Sequence, residues 1–359
     1  MIKEAIAKAV NRQDLTEQEM VSTMDEIMTG QATSSQIGSF LTALRMKGET
    51  VAEITGAARV MRAKAGKIDV NNHLVNIDRD EINAEDETLL DIVGTGGDGT
   101  RTFNVSTTTA FVAAGAGLRV AKHGNRAVSS LCGSADVLEN LGVNLDINHA
   151  DVERCVNKVG IGFLYAPSFH GAMKYAAKPR REIGLRTLFN LLGPLTNPAN
   201  ANVQVLGVYS LDLTEMMASV LNNLGTREAF VVCGEGTYDE ISICGRTKIT
   251  HLKNKEINTF DIEPETYGFK RAAAEEIQGG NAKRNAEIVR QILDGEKGPK
   301  REMVLLNAAS AYVASGLDTD LGEGIKRAEA VIDSGKAREK MDALIDFTRG
   351  CTDFVRKEL

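Results

Sequence analysis

DIVGTGGDGTRTFNVSTTTAFVAAGAGLRVAKHGNRAVSSLCGS, residues 91–134, is the stretch on which the fold turns. Residues 91–93 form a short, largely apolar run ending at glycine, which suits a buried strand. Residues 94–99 bend sharply. Residues 107–117 are rich in alanine and small apolar side chains and should be helical, with Ser106 as the N-cap. Residues 119–122 read as a second strand. Strand, loop, helix and strand in that order is the recipe for parallel pairing.

The loops after both strands are rich in donors: Gly96, Gly97, Asn104, Ser106 and Thr107 in the first, Lys122, Asn125, Arg126, Ser129 and Ser130 in the second. Glycines let backbone N–H groups approach a ligand, and a helix N-terminus favours an anion. Lys122 and Arg126 add full charges, so the pattern suits a polyphosphate. It is neither a P-loop, which needs a lysine that residues 94–101 lack, nor the G-x-G-x-x-G dinucleotide fingerprint. On its glycines alone the first loop would be an ordinary tight turn. The second loop changes this, because donor-rich loops at the carboxyl ends of adjacent strands form the crevice where open α/β sheets bind ligands.

Two further clusters fit such a ligand. Asp239-Glu240 follow an apolar strand and a glycine turn, where adjacent carboxylates can hold Mg²⁺ together with substrate phosphates. Alone they would read as an exposed acidic turn. Arg180 begins Arg-Arg-Glu-Ile-Gly184, and a guanidinium can bind both oxygens of a planar carboxylate. Arg181 and Arg186 are close enough in sequence to compete for that role.

The motifs GTGGD, NVST, KHGNRAVSS and GSAD, together with DEIS at 239–242, resemble those of the anthranilate phosphoribosyltransferases, which join anthranilate to 5-phosphoribosyl-1-pyrophosphate (PRPP) in tryptophan biosynthesis. The resemblance extends over roughly residues 4 to 345. It implies PRPP contacts at Gly94, Gly97, Asp98, Thr102, Asn104, Val105, Ser106, Thr107, Lys122, His123, Gly124, Asn125, Arg126, Ala127, Val128, Ser129, Ser130 and Ser134. It implies anthranilate contacts at Gly94, His123, Asn125 and Arg180. Two Mg²⁺ per site would be held by Ser106, Asp239 and Glu240, although Cys233 and Tyr238 depart from the family pattern. No general base is implied, since an arylamine is neutral at pH 7 and needs positioning more than deprotonation. A homodimer joined through its helical domain is also implied.

Composition sets the outer bounds. The chain has 359 residues, 43% hydrophobic and 25% charged, with a net charge of −7. That balance argues against nucleic-acid or membrane-surface binding. No apolar run reaches the length of a membrane span. The charged amphipathic N-terminus is unlike a signal peptide, and no fused amidotransferase domain is expected ahead of it. Five scattered cysteines match neither a disulfide framework nor a zinc site, which points to the cytoplasm.

Residues 1–66 read as short helices, with capping boxes at Thr16/Glu19, Thr33/Gln36 and Thr50/Glu53. Residues 78–87 form an acidic stretch that reads as a solvated linker. A helix over 134–142, capped by Ser134, and another over 151–159 follow, then a strand at 162–166. A helix over 173–186 is expected to break at Pro179. Strands are expected at 204–209, 228–233 and 241–243, and helices at 213–224, 282–293, 302–314 and 321–334. The expected fold is α/β: a small all-α domain plus a larger α/β domain with a mostly parallel central sheet flanked by helices. The helical domain would comprise 1–67 with inserted helices near 168–190, and the α/β domain 70–165 and 191–359. Rival readings are a pyrimidine nucleoside phosphorylase of the same fold and a non-catalytic nucleic-acid-binding relative.

Overall fold

The computed structural model describes residues 1–70, 88–97, 99–127 and 131–351. The acidic stretch 78–87 and the site candidates Asp98, Val128, Ser129 and Ser130 lie outside the described residues.

The chain opens with four helices, α1 (Ile2–Val10), α2 (Glu17–Met28), α3 (Ser34–Lys47) and α4 (Val51–Lys64). All three expected capping boxes form, at Thr16, Thr33 and Thr50. Glu53 does more than cap. Its buried carboxylate also accepts the Leu15 N–H (2.9 Å) and pairs with Lys47 Nζ (3.0 Å), tying three segments of the bundle at one point.

The second part alternates strand and helix: β1 (Leu89–Gly94), α5 (Val105–Gly115), β2 (Arg119–Gly124), α6 (Ser134–Leu141), α7 (His149–Val159) and β3 (Ile161–Tyr165). The chain then turns through α8 (Ala166–Phe169), α9 (Lys174–Ile183) and α10 (Leu188–Leu192). It returns as β4 (Val203–Gly207), α11 (Leu213–Asn223), β5 (Glu228–Gly234), β6 (Thr247–Lys253) and β7 (Glu256–Ile262). Four helices close it: α12 (Ala282–Leu293), α13 (Pro299–Ala314), α14 (Leu321–Asp333) and α15 (Lys336–Arg349).

The seven strands form one sheet in the order β3-β2-β1-β4-β5-β6-β7. Pairing is parallel from β3 through β5 and antiparallel across β5, β6 and β7. After β3 the chain crosses back over β1 to begin β4, so loops leaving β1 and β4 diverge and leave a crevice at their carboxyl ends. One face of the sheet buries Leu90, Ile92, Val120, Val205 and Phe230 under α5, α6 and α12–α15. The other buries Leu206, Val231 and Cys233 in a core continuous with that of the N-terminal bundle. Arg62 of α4 ties the two by donating to the carbonyls of Leu195 (2.6 Å) and Leu224 (3.3 Å).

Several sequence expectations need correction. The N-cap of α5 is Asn104, whose carbonyl accepts the Thr108 N–H at 3.0 Å, so Ser106 lies inside the first turn. Gly133 caps α6, its N–H held by Asp136, which makes Ser134 the first helical residue. The helix carrying Arg180 runs through Pro179, where burial of Ala176 and Pro179 outweighs one lost hydrogen bond. It stops at Ile183 because Gly184 turns left-handed (φ 66°). Residues 241–243 are no strand: Ile241 exchanges both backbone hydrogen bonds with the side-chain amide of Asn307 on α13, at 3.0 and 2.8 Å. The real partners of β5 are the unanticipated hairpin β6–β7, turned at Asn254 and Lys255 with φ 52° and 67°. Helix α15 was also not anticipated.

Replacing Glu53 with alanine should cost about 3 kcal/mol in urea unfolding, because buried Lys47 loses a partner. Thr16→Ala should cost only about 1 kcal/mol, the usual value of an exposed cap.

Candidate active site

A cleft of about 360 Å³ opens at the carboxyl ends of β1 and β2. Its first wall is the glycine loop. Gly96 N–H donates to Asp239 Oδ2 at 2.7 Å, fastening that loop to the carboxylate pair after β5. The approach demands glycine, since a Cβ at Gly94 would run into the Asp239 carboxylate and one at Gly207 into its backbone. Glu240 lines the same cleft. The exchange between Ile241 and Asn307 anchors the pair from behind.

The floor is shaped by an exchange of partners between β1 and β2. Registered pairs between these strands stop after Leu89↔Arg119 and Leu90↔Val120. Beyond them the Asp91 carboxylate accepts the His123 N–H (3.2 Å) and Lys122 Nζ donates to the Ile92 carbonyl (2.7 Å). Side chains thus stand in for ladder bonds and the strands separate. Lys122 Nζ also reaches Ser106 Oγ at 3.4 Å. Burial pushes the Asp91 carboxyl up and the Lys122 ammonium down, and each counters the other's shift.

The opposite wall carries Arg180. Its guanidinium lies 5.0 Å from the Phe189 ring centre, beside Asn190, Gly193 and Pro194, and burial lowers its pKa. Arg181 is exposed, and Arg186 lies 4.6 Å over the Tyr209 ring on the outer side of Gly97. Of the three arginines, Arg180 alone lines the cleft.

Most residues expected from sequence converge here: Gly94, Gly97, Thr102, Asn104, Val105, Ser106, Lys122, His123, Gly124, Asn125, Arg126, Ala127, Ser134, Arg180, Asp239 and Glu240 all line the cleft. Ser134 Oγ donates to the Asn125 carbonyl at 3.3 Å. Two depart. Thr107 turns its buried side chain toward a small internal void beneath Lys122. Arg126 is engaged within the protein, with Glu139 at 2.5 and 2.6 Å, Asp136 at 3.2 Å and the Tyr165 ring at 5.7 Å. Its full charge, counted on from the sequence, is already matched. Sequence reading missed Arg101, Phe189, Asn190 and Pro194 as lining residues, and His170, whose Nε2 lies 3.2 Å from that of His123. The apolar-plus-amide string Phe189-Asn190 before Gly193-Pro194 was the available signal.

Comparison with known proteins decides the family. Residues 3–65 match the helical bundle domain of a glycosyl transferase family, and residues 86–338 match its a/b domain. The anthranilate phosphoribosyltransferase of Geotalea uraniireducens is 57% identical over 348 residues, covering 97% of this chain and 99% of that protein. The crystal structure of the anthranilate phosphoribosyltransferase of Thermus thermophilus superposes with a TM-score of 0.88 at 40% identity, over 96% of this chain and 99% of that one. That of Saccharomyces cerevisiae in complex with PRPP and Mg gives 0.85 at 30% identity, over 97% and 98%. The chain belongs to the anthranilate phosphoribosyltransferase family.

The two histidines near the Arg180 wall are held neutral. Burial is the main cause for both, lowering His123 to about 3 and His170 to about 4. A depressed histidine pKa leaves stability intact above the unfolded value near 6.5, and stability falls as pH drops from there toward the folded values. His170→Phe should therefore lose about 2 kcal/mol less stability than the wild type between pH 7 and pH 5, measured by urea unfolding at both.

Proposed function

We infer that the protein transfers the phosphoribosyl group of PRPP to the amine of anthranilate, releasing N-(5-phosphoribosyl)anthranilate and pyrophosphate in tryptophan biosynthesis. One observation carries the reading: a single cleft has an anion-binding wall of glycine loop, Asn104, Ser106 and Lys122, and faces a guanidinium over an aromatic ring. The first suits the phosphates of PRPP, with Gly97, Thr102, Val105, Gly124, Ala127 and Ser134 completing the loops around them. Asp98, Thr107, Arg126, Val128, Ser129 and Ser130 remain PRPP candidates from the resemblance. The second suits a planar aromatic carboxylate, with Arg180 pairing its oxygens and Phe189, Pro194, Asn125, His123 and Gly94 confining its ring.

Ser106, Asp239 and Glu240 offer hard oxygen donors beside that anion wall, a set that fits Mg²⁺. Two ions per site are proposed. Mg²⁺ bound there would offset the charge that builds on departing pyrophosphate. Lys122, whose Nζ reaches Ser106 Oγ at 3.4 Å, would contribute a fixed positive charge from below the same wall. The amine nucleophile requires orientation by Arg180 and Asn125, not deprotonation.

The helical part is read as residues 1–67 with 168–190, and the α/β part as 70–165 with 191–359. Packing of α9 against α2 and α3, and of α10 against α4, supports that division. Gly66 N–H donates to the Phe169 carbonyl at 2.8 Å, so the connections at 66–70 and 165–170 lie side by side, suited to act as one hinge. A homodimer through the helical part is favoured by a groove of about 560 Å³ whose lining includes Val10 and Met46, respectively 66% and 71% exposed. Five free cysteines, with no described helix long and apolar enough to cross a membrane, favour the cytoplasm.

Anthranilate fluorescence should fall only when protein, PRPP and Mg²⁺ are all present, and chelation should stop it. Arg180→Ala should raise the anthranilate KM at least tenfold, the value of a lost charge-assisted pair of about 1.5–3 kcal/mol, while the PRPP KM changes little. A flat trace from folded wild-type protein would send the search to nucleosides and phosphate.

A further inference from the structure

Arg101 lines the PRPP side of the cleft in a backbone conformation that its side chain disfavours, with φ at 57°. The loop's other left-handed residues among those described are Gly96, Gly97 and Gly99. Arginine is strained where glycine is not, and strain of this kind concentrates at functional sites. The conformation is imposed from outside the loop. Gly279 N–H donates to the Arg101 carbonyl (3.0 Å), Phe103 N–H donates to that of Ile277 (3.3 Å), and Thr102 bridges Gln278 in antiparallel fashion. A segment remote in sequence therefore holds Arg101 at the mouth of the cleft.

The charge balance of the cleft gives the side chain something to do. PRPP carries phosphate at both ends of its ribose. Of the cleft's cations, Arg126 is engaged by Asp136 and Glu139, Arg180 stands on the far wall over Phe189, and Lys122 is buried with the Ile92 carbonyl. Arg101 is exposed and has no carboxylate within ion-pair distance among the described residues. A guanidinium carried on a backbone held at the edge of an anion site can form bidentate, charge-assisted hydrogen bonds to a phosphate.

We propose that Arg101 is a further phosphate-binding residue of this site, donating to phosphate oxygens of PRPP. The inference rests on the transferase reading. Arg101→Gly is the informative variant, because glycine adopts this backbone conformation freely and the fold is not at stake. Its melting temperature should equal or exceed that of the wild type. Its PRPP KM should rise about tenfold or more, consistent with the loss of a charged hydrogen-bonding partner, and its anthranilate KM at saturating PRPP should stay within twofold. Arg101→Lys should recover part of the loss, since it restores charge without the fork. Inhibition by pyrophosphate and by ribose 5-phosphate then distinguishes the two ends of PRPP: whichever weakens in Arg101→Gly is the end that Arg101 holds. A PRPP KM within twofold of the wild type, in an otherwise active enzyme, overturns the role of Arg101 alone. Absence of product from the wild type overturns the transferase reading itself.

Discussion

The exchange of partners between β1 and β2 is the constraint on which the site depends. A parallel pair continued to its end would close the sheet where the crevice must open. Instead Asp91 takes the N–H of His123, Lys122 takes the carbonyl of Ile92, and the strands part. Two buried opposite charges are a costly way to satisfy two backbone groups, because both must be desolvated. Here the return is geometric. The ammonium comes up beneath the glycine loop near Ser106, and the His123 ring meets His170 beside the opposite wall. One irregularity in one strand pair brings both Lys122 and His123 to the lining of the cleft.

The remaining walls are held by equally indirect means. The carboxylates at 239 and 240 do not belong to the sheet. They are gripped in front by the Gly96 amide and behind by Asn307, a helical side chain that pairs with backbone as a strand would. Arg180 owes its place to a helix that tolerates an internal proline and stops at a left-handed glycine. Arg186, beyond that stop, is turned away onto Tyr209.

Much of this was legible in the chain. Period and capping chemistry give the bundle, and the alternation of strand and helix gives the parallel half of the sheet, because both are local signals. The two glycine-rich loops could be placed on one edge from the order of elements alone. What escaped depends on distant partners. The apolar run at 241–243 looks like a strand, but its partner is one asparagine on α13. The alternating residues of β6 and β7 mix lysine, threonine and asparagine, so these strands passed for loop. Ser106 and Ser134 have the chemistry of caps, yet Asn104 and Gly133 hold those positions. The motif could not reveal that Arg126 is matched by Glu139 thirteen residues later, nor that Arg101 lines the same cleft with no carboxylate partner among the described residues.

The core shared by the bundle and the sheet bears on how the chain is made. The first four helices leave the ribosome early, but Ala176, Leu188, Leu191 and Leu192 complete their core, together with the face of β4 and β5. At roughly 5–20 residues per second, those pieces arrive on the order of ten seconds after α4. Through that interval a methionine- and leucine-rich surface stands uncovered on the nascent chain. The N-terminal bundle thus waits for later segments to complete its core, although its helices are the best encoded in the sequence.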